Sequence, residues 1–299
     1  MCPPHHYGVE YVINPWMEGN IGKVDRTLAT KQWEDLYNAV SEHATVELIE
    51  PHRSMPDMVF TANAGVVIPW RDLFVVSYMS KPQRQQEQHL FGAWFERRGY
   101  YVRYLDNELN INNFFEGEGD CLIGERGGTH YSYKTWAHFG YKKRSTYAGT
   151  REAYGAMFDN PLHFYSVPHS CIDDQLSLPM LSYELQTDQF YHLDTCLAVL
   201  KEKRVLYDAA LFATSAQSTI PIAFSIFDEE ADLHVSEEDA NQFACNMIVV
   251  GRQIIMPVSS PELKAQLKSL GYQVTQLDMS EFIKAGGACK CLVLTLGGD

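Results

Sequence analysis

The sequence predicts an α/β fold made of about five small repeated units closed into a ring. Three observations predict it: a helix–glycine–strand passage occurs twice with matching residues, a two-stranded hairpin precedes each copy, and two further candidate hairpins lie between them. In the later copy, Ser260-Pro261-Glu262-Leu263 opens a helix with a serine cap, a first-turn proline and an acid near the positive end of the dipole. Leu263, Leu267 and Leu270 share one face, Gly271 stops the helix, and 272–278 begins with the apolar and polar alternation of a strand. In the earlier copy, Ala93, Trp94 and Phe95 sit in a helical stretch ending at Gly99. The strand after it, Tyr100-Tyr101-Val102-Arg103-Tyr104-Leu105-Asp106, matches the later one at Gly, Tyr, Val, Leu and Asp.

The preceding hairpins fall at 64–78 and 246–258, with polar turns at Trp70-Arg71-Asp72 and Gly251-Arg252-Gln253. Segments 121–134 and 196–207 fit the same role. A strand at 11–14 is expected to complete a fifth unit with a C-terminal strand from Cys291. Segment 27–43 reads as an amphipathic helix with Trp33, Leu36, Tyr37 and Val40 on one face. No Pro/Gly/Ser-rich boundary interrupts the chain, so one domain is expected over 1–299, with an irregular insertion or lid around 147–186.

Composition narrows the function classes. The 299 residues carry a formal charge of −14, with no basic stripe to neutralise phosphates, so nucleic acid is not an expected partner and cationic small molecules are favoured. With 45% apolar and 21% charged residues, the chain has enough apolar surface for a full core, which excludes disorder. There is no long apolar run and no basic-then-apolar leader, so no membrane partner is expected and the protein is expected to be cytoplasmic. Seven scattered cysteines argue for reduced thiols, most of them small core residues.

The matched modules run on into glycine-rich stretches that bear acids and thiols. One is Phe114-Phe115-Glu116-Gly117-Glu118-Gly119-Asp120; the other is Gly286-Gly287-Ala288-Cys289-Lys290-Cys291. In a ring of repeats equivalent loops converge, so an acid from one unit and a thiol from another can meet. A cysteine enzyme needs a thiolate, an acid or base beside it and a group that orients the substrate. Spacing alone leaves Cys289 and Cys291 open as nucleophile; if a strand has begun there, both face one side. A Cys-x-Cys metal site lacks ligand pairs, so no metal or cofactor is implied. In Phe190-Tyr191-His192-Leu193-Asp194-Thr195, an extended His-x-Asp puts imidazole and carboxylate on one face. Glu116, between phenylalanine and glycine, is an odd site for an idle acid, with Glu118 and Asp120 as competitors. His5, His6, His163 and His169 are read as surface or loop residues.

Five blocks carry a specific resemblance: Tyr11-Val12-Ile13-Asn14-Pro15-Trp16-Met17, Met55-Pro56-Asp57-Met58-Val59-Phe60-Thr61-Ala62-Asn63-Ala64-Gly65, Phe115-Glu116-Gly117-Glu118-Gly119-Asp120, Phe190-Tyr191-His192-Leu193-Asp194-Thr195-Cys196 and Ala285-Gly286-Gly287-Ala288-Cys289-Lys290-Cys291-Leu292. Together they resemble the guanidino-group-modifying superfamily of amidinotransferases and deiminases, over essentially the whole chain. The resemblance is strongest to the arginine dihydrolase domain of cyanobacterial bifunctional enzymes. It implies the pentein fold, a five-bladed α/β propeller of ββαβ-type repeats, and a small-molecule guanidino substrate; a homo-oligomer is compatible with the sequence, which does not itself specify the oligomeric state.

The resemblance also implies roles. Cys291 matches the nucleophile, His192 the general acid/base, and Glu116 the acid that supports the histidine and a guanidinium nitrogen. Asp194 matches a binder of the substrate guanidinium. Asn14, Phe60 and Asn63 match residues lining the guanidino slot, and Arg84 and Arg144 resemble arginines that hold a substrate α-carboxylate. The implied reaction is arginine to ornithine, two ammonia and carbon dioxide through a thiouronium-type intermediate. The alternatives are a deiminase or dimethylarginine hydrolase that releases citrulline, and an amidinotransferase. Asparagine at position 63, where related deiminases commonly have aspartate, favours the dihydrolase. A silent binding module would have no reason to keep Cys291, His192, Glu116 and Asp194 together. The cyanobacterial homologue carries a second domain beyond the point where this sequence stops, so no coupling to ornithine cyclisation is expected within this chain.

Overall fold

Apolar strands and capped helices alternate in the order a repeat requires, and the computed structural model describes residues 1–105, 112–125, 135–158, 180–201, 203–211 and 232–297. Helix α1 (Arg26–Ser41) is capped by Asp25, whose carboxylate accepts from the backbone N–H of Thr27 and Leu28. It buries Trp33, Leu36 and Val40, the apolar face expected of it. Strands β1 (Gly65–Ile68) and β2 (Leu73–Val76) are buried at every position and pair antiparallel. Helix α2 (Glu87–Glu96) then returns the chain so that β3 (Tyr101–Arg103) lies parallel to β2.

The same unit recurs three times. Strands β4 (Cys121–Glu125) and β5 (Thr135–Tyr141) pair antiparallel, and α3 (Tyr147–Phe158) leads to β6 (Met180–Glu184), parallel to β5. Strands β7 (Leu197–Val199) and β8 (Arg204–Leu206), helix α4 (Asp208–Leu211) and β9 (Leu233–His234) repeat the pattern. After α5 (Glu237–Asn241) come β10 (Ile248–Val250), β11 (Gln253–Pro257), α6 (Pro261–Ser269) and β12 (Gln273–Leu277). The first and last of these units are the two matched passages. Gly99 and Gly271 both sit at φ 85° just past their helices, the left-handed stop that glycine adopts without a Cβ penalty. Each of the four sheets keeps its strands in chain order. Among the described residues, no helix is long and apolar enough to cross a membrane, and six buried cysteines are free thiols.

Three expectations need correction. The fifth sector has no strand ladder: Asn14 caps a 3-10 turn at Pro15–Met17, where proline at the first position suits a turn, and Cys291 lies inside a 3-10 turn at Lys290–Leu292. Lys290 tightens that second turn by donating to the Val293 carbonyl. Helix α1 closes this sector instead, packing on β11, β12 and α7 (Ser280–Ile283). Second, the described part of 147–186 is no irregular insertion, because α3 and β6 are the helix and third strand of their unit. Residues 159–179, with His163, His169 and Cys171, lie outside the described residues, as does Asp106. Third, the hairpin expected within 121–134 takes its second strand from Thr135–Tyr141.

Tight turns enter each sheet, and they converge. Thr61–Ala64 packs against Gly117–Gly119 and Lys290–Leu292, and Gly117–Gly119 packs against Leu193–Thr195. Gly119 permits the closest approach. A Cβ there would lie 2.4 Å from Asn63 Nδ2 and 3.2 Å from the His192 ring, so only glycine fits.

Candidate active site

The converging turns line one cavity with Asn14, Phe60, Asn63, Arg84, Arg144, His192 and Cys291. Glu116 and Asp194, the other two predicted site residues, are buried directly behind it and bonded to its lining. Glu116 is fully buried. Its Oε1 accepts from Ser80 N at 2.9 Å and Ser80 Oγ at 2.6 Å, while Oε2 lies 2.7 Å from His192 Nε2 and 3.2 Å from Arg144 Nη1. Burial pushes this carboxyl upward, but Arg144, His192 and Ser80 outweigh it and hold the pKa well below the ordinary range. Glu116 is therefore a carboxylate, able only to accept, and it sets a proton on His192 Nε2.

The competing acids have other duties. Glu118 pairs with Lys290 at 2.6 Å and accepts from Thr295 N at 3.1 Å. Asp120 accepts from Ser145 and from Leu193 N, pinning the turn that follows His192; burial, only partly offset by His192 and Ser145, pushes its pKa up to about 6. His192 is extended, but Asp194 has already entered the 3-10 turn Leu193–Thr195, so the pair does not share the face of a strand as expected.

Cys291 and Cys289 are separated by environment. Both pack in the apolar cluster with Trp33, Leu36 and Phe282, but Cys289 does not line the cavity, and burial pushes its pKa upward. Cys291 faces the cavity, and its thiol donates to Asp194 Oδ2 at 3.4 Å. Asn246, which sequence reasoning missed, donates from Nδ2 to Sγ at 3.2 Å and accepts from Cys291 N at Oδ1 at 3.1 Å. Burial and the Asp194 charge push the thiol well up, while hydrogen bonds from the Ala288 backbone and Asn246 act against them. Alone, the site holds a protonated thiol.

The predicted binding residues are already engaged with the protein. Arg84 turns its bidentate edge to Glu87, with Nε and Nη2 at 2.9 and 2.8 Å, and gives Nη1 to Asn63 Oδ1 at 2.8 Å. Arg144 gives Nη2 to the Ile13 carbonyl at 2.9 Å and lies over the Tyr191 ring, 4.6 Å from its centroid. Neither arginine therefore presents the open two-pronged fork expected of a carboxylate clamp. Asn14 spends its amide internally, accepting from Trp16 N and Met17 N and donating to Ala285 O and Tyr191 Oη. Phe60 stands edge-on to Tyr7 and Phe282.

Three buried polar atoms at this site have no protein partner: Asp57 Oδ1, Asn63 Nδ2 and Asp194 Oδ1. Leaving such groups unpaired costs about 1–3 kcal/mol each, so they are candidate positions for the polar groups of a ligand. Asp57 is the second residue that sequence reasoning missed. It lines the cavity, Tyr11 donates to its Oδ2 at 2.7 Å, and burial, against the nearby Arg84, keeps its pKa above the usual carboxylate range. Its signal was present in the Met55–Gly65 block, and that of Asn246 in a Phe-x-x-Asn that precedes both β1 and β10.

A cysteine, histidine and acids on convergent turns of ββαβ units define the guanidino-group-modifying superfamily of the pentein fold, and the chain belongs to it. No protein-family model matches the chain. The N(G),N(G)-dimethylarginine dimethylaminohydrolase of Mycobacterium tuberculosis is 32% identical across 99% of this chain and 84% of its own length. The bifunctional arginine dihydrolase/ornithine cyclodeaminase AgrE of Nostoc sp. is 39% identical across 98% of this chain. The chain spans 37% of that bifunctional relative's length. The N-terminal domain of ArgZ, solved covalently bound to a reaction intermediate, has a TM-score of 0.83 and 36% identity, covering 99% of this chain and 96% of that domain.

Proposed function

We propose that the chain is a cysteine-dependent arginine dihydrolase, converting arginine and two waters into ornithine, two ammonia and carbon dioxide. The three unpartnered atoms carry this reading. Two buried carboxylate oxygens suit the two cationic ends of arginine, with Asp194 beside the nucleophile taking guanidinium and Asp57 taking ammonium. Asn63 supplies the third atom. Because Arg84 can only donate, Asn63 Oδ1 is the acceptor in that pair, and Nδ2 remains as a donor for a ureido oxygen. That donor suits citrulline held for a second hydrolysis. A deiminase releasing citrulline is the alternative reading, and an aspartate at this position would favour it.

The guanidinium carbon is a poor electrophile, since its charge is spread over three nitrogens, so it must be fixed beside a thiolate and neutralised. A guanidinium on Asp194 offsets the charge that, together with burial, keeps the Cys291 thiol protonated. As Cys291 attacks the carbon its thiol proton passes to His192, which then gives that proton to the departing ammonia. Glu116 holds Nε2–H, so proton exchange falls to Nδ1. Water activated by the same imidazole releases citrulline, and a second round on the ureido carbon yields ornithine and, through carbamate, carbon dioxide and ammonia.

The test incubates purified protein with arginine and follows citrulline, ornithine and ammonia together, with Cys291→Ala as the blank. Ornithine with two equivalents of ammonia and little free citrulline supports the dihydrolase. Citrulline with one equivalent makes the protein a deiminase. No turnover of arginine overturns both and moves the search to methylated arginines and other guanidines.

A further inference from the structure

We propose that Asn246 is a catalytic residue of this site, its side-chain amide stabilising the Cys291 thiolate and fixing the sulfur against Asp194. The inference rests on the reading of Cys291 as nucleophile. Asn246 is fully buried, and every hydrogen-bonding edge of its amide is spent on the reacting turns. Oδ1 accepts the Cys291 backbone N–H at 3.1 Å, while Nδ2 donates to the Asp194 carbonyl at 3.1 Å and to Cys291 Sγ at 3.2 Å. The assignment of the two amide atoms is forced, because a backbone N–H can only donate and a carbonyl can only accept. Among the described residues, Asn246 is the one side chain with a hydrogen bond donated to Sγ.

The repeat places this asparagine as deliberately as it places Asn63. Phe60-Thr61-Ala62-Asn63 precedes β1 and Phe243-Ala244-Cys245-Asn246 precedes β10, each asparagine standing two residues before its strand. One unit thus points its asparagine amide at Arg84 and the other at the sulfur. The second turn holds Phe243 at φ 60°, a left-handed conformation that a bulky side chain adopts only under constraint.

Charge explains why an amide is needed. Burial and Asp194 oppose the thiolate, and a second carboxylate in place of Asn246 would oppose it further. The titratable groups around the sulfur are Asp194 bonded to it, Tyr191 and Lys290 coupled to it through their charges, and His192 on the same cavity wall. A neutral donor stabilises the anion without competing for the guanidinium that Asp194 is to hold.

The experiment reads the thiol directly, apart from turnover. The rate of Cys291 alkylation by iodoacetamide is followed against pH by mass spectrometry of the Cys291 peptide, with Cys291→Ser as the blank. Wild type is compared with Asn246→Asp, Asn246→Ala and Asn246→Ser, and kcat and KM for arginine are measured in parallel. Loss of a hydrogen bond to a charged group should raise the alkylation midpoint by about one to two pH units in the Ala and Asp variants. Their kcat should fall by about tenfold or more while KM moves within about twofold. Asn246→Ser, keeping a hydroxyl donor, should fall between them and wild type, and it decides the matter if the other variants do not fold. An unchanged midpoint in the folded variants overturns the role of Asn246. A shifted midpoint in a protein that does not turn over arginine leaves that role standing and overturns the proposed reaction instead.

Discussion

At the scale of single residues, the proposed function turns on which half of an amide remains to meet a ligand. Asn63 offers a donor because Arg84 has claimed its oxygen. Replacing it by aspartate removes the donor, keeps the acceptor for Arg84 and adds charge, so Asn63→Asp should shift the product from ornithine toward free citrulline. Chromatography of the two amino acids after complete conversion checks this, and an unchanged ornithine yield would remove Nδ2 from the explanation. The same reasoning separates the three acids of the Glu-Gly-rich loop. Only Glu116 contacts His192, while Glu118 is neutralised by Lys290 and Asp120 is consumed by Ser145 and Leu193.

At the scale of elements, the turns that carry chemistry are positioned by helices and sheets that carry none. Helix α6 shows how. Ser260 accepts from Leu263 N at its start, Gly271 ends it, and Leu263 and Leu267 pack into a cluster with Leu197 and Met247, which flank the turns bearing Asp194 and Asn246. Leu267 is completely buried, so Leu267→Ala should cost about 2–5 kcal/mol of unfolding free energy, measured in urea. Arginine turnover per folded molecule should be unchanged at low temperature. This helix was legible in the sequence from cap to stop because its signals are local. The expected strands at 11–14 and after Cys291 were misread for the opposite reason. Tyr11, Ile13, Leu292 and Val293 pack in the cluster of α1, while Leu294 and Leu296 pack with Phe91, Trp94 and Phe95 of α2; an apolar run does not reveal which partner will cover it.

At the scale of the whole molecule, buried titratable groups tie stability to pH. His138 is almost fully buried, and burial followed by the charge of Arg204 pushes its pKa down to about 3, against about 6.5 for an unfolded histidine. As pH falls below about 6.5 the unfolded chain takes up a proton that the folded one refuses, so this group's contribution to stability is lost on acidification. Glu116, held low when folded, adds a loss in the same direction below about pH 4. Asp120, raised to about 6, acts oppositely: its contribution is full below about pH 4 and is lost as pH rises through 6. A comparison with His138→Phe isolates the first effect. Relative to that variant, wild type should lose about 2 kcal/mol between pH 7 and pH 5. A difference that stays flat across this range would assign the acid sensitivity elsewhere.

The sequence by itself determined the repeat, its helix caps and glycine stops, the buried hairpins, and the blocks that hold Cys291, His192 and Glu116. Each of these is written in residues close together in the chain, where periodicity, capping and turn chemistry act. Tertiary structure alone decided that Cys291 faces the cavity while Cys289 is packed away, that Arg84 and Arg144 are held by the protein's own acids and carbonyls, and that Asp57 and Asn246 belong to the site. Those outcomes depend on which turns meet at the centre, and the contacts that settle them join residues far apart in the chain, such as Asn246 with Cys291 and Glu116 with His192. The neighbours met there then decide which of two equally buried carboxyls keeps its charge, as Glu116 does beside Arg144, and which atom is left for a ligand.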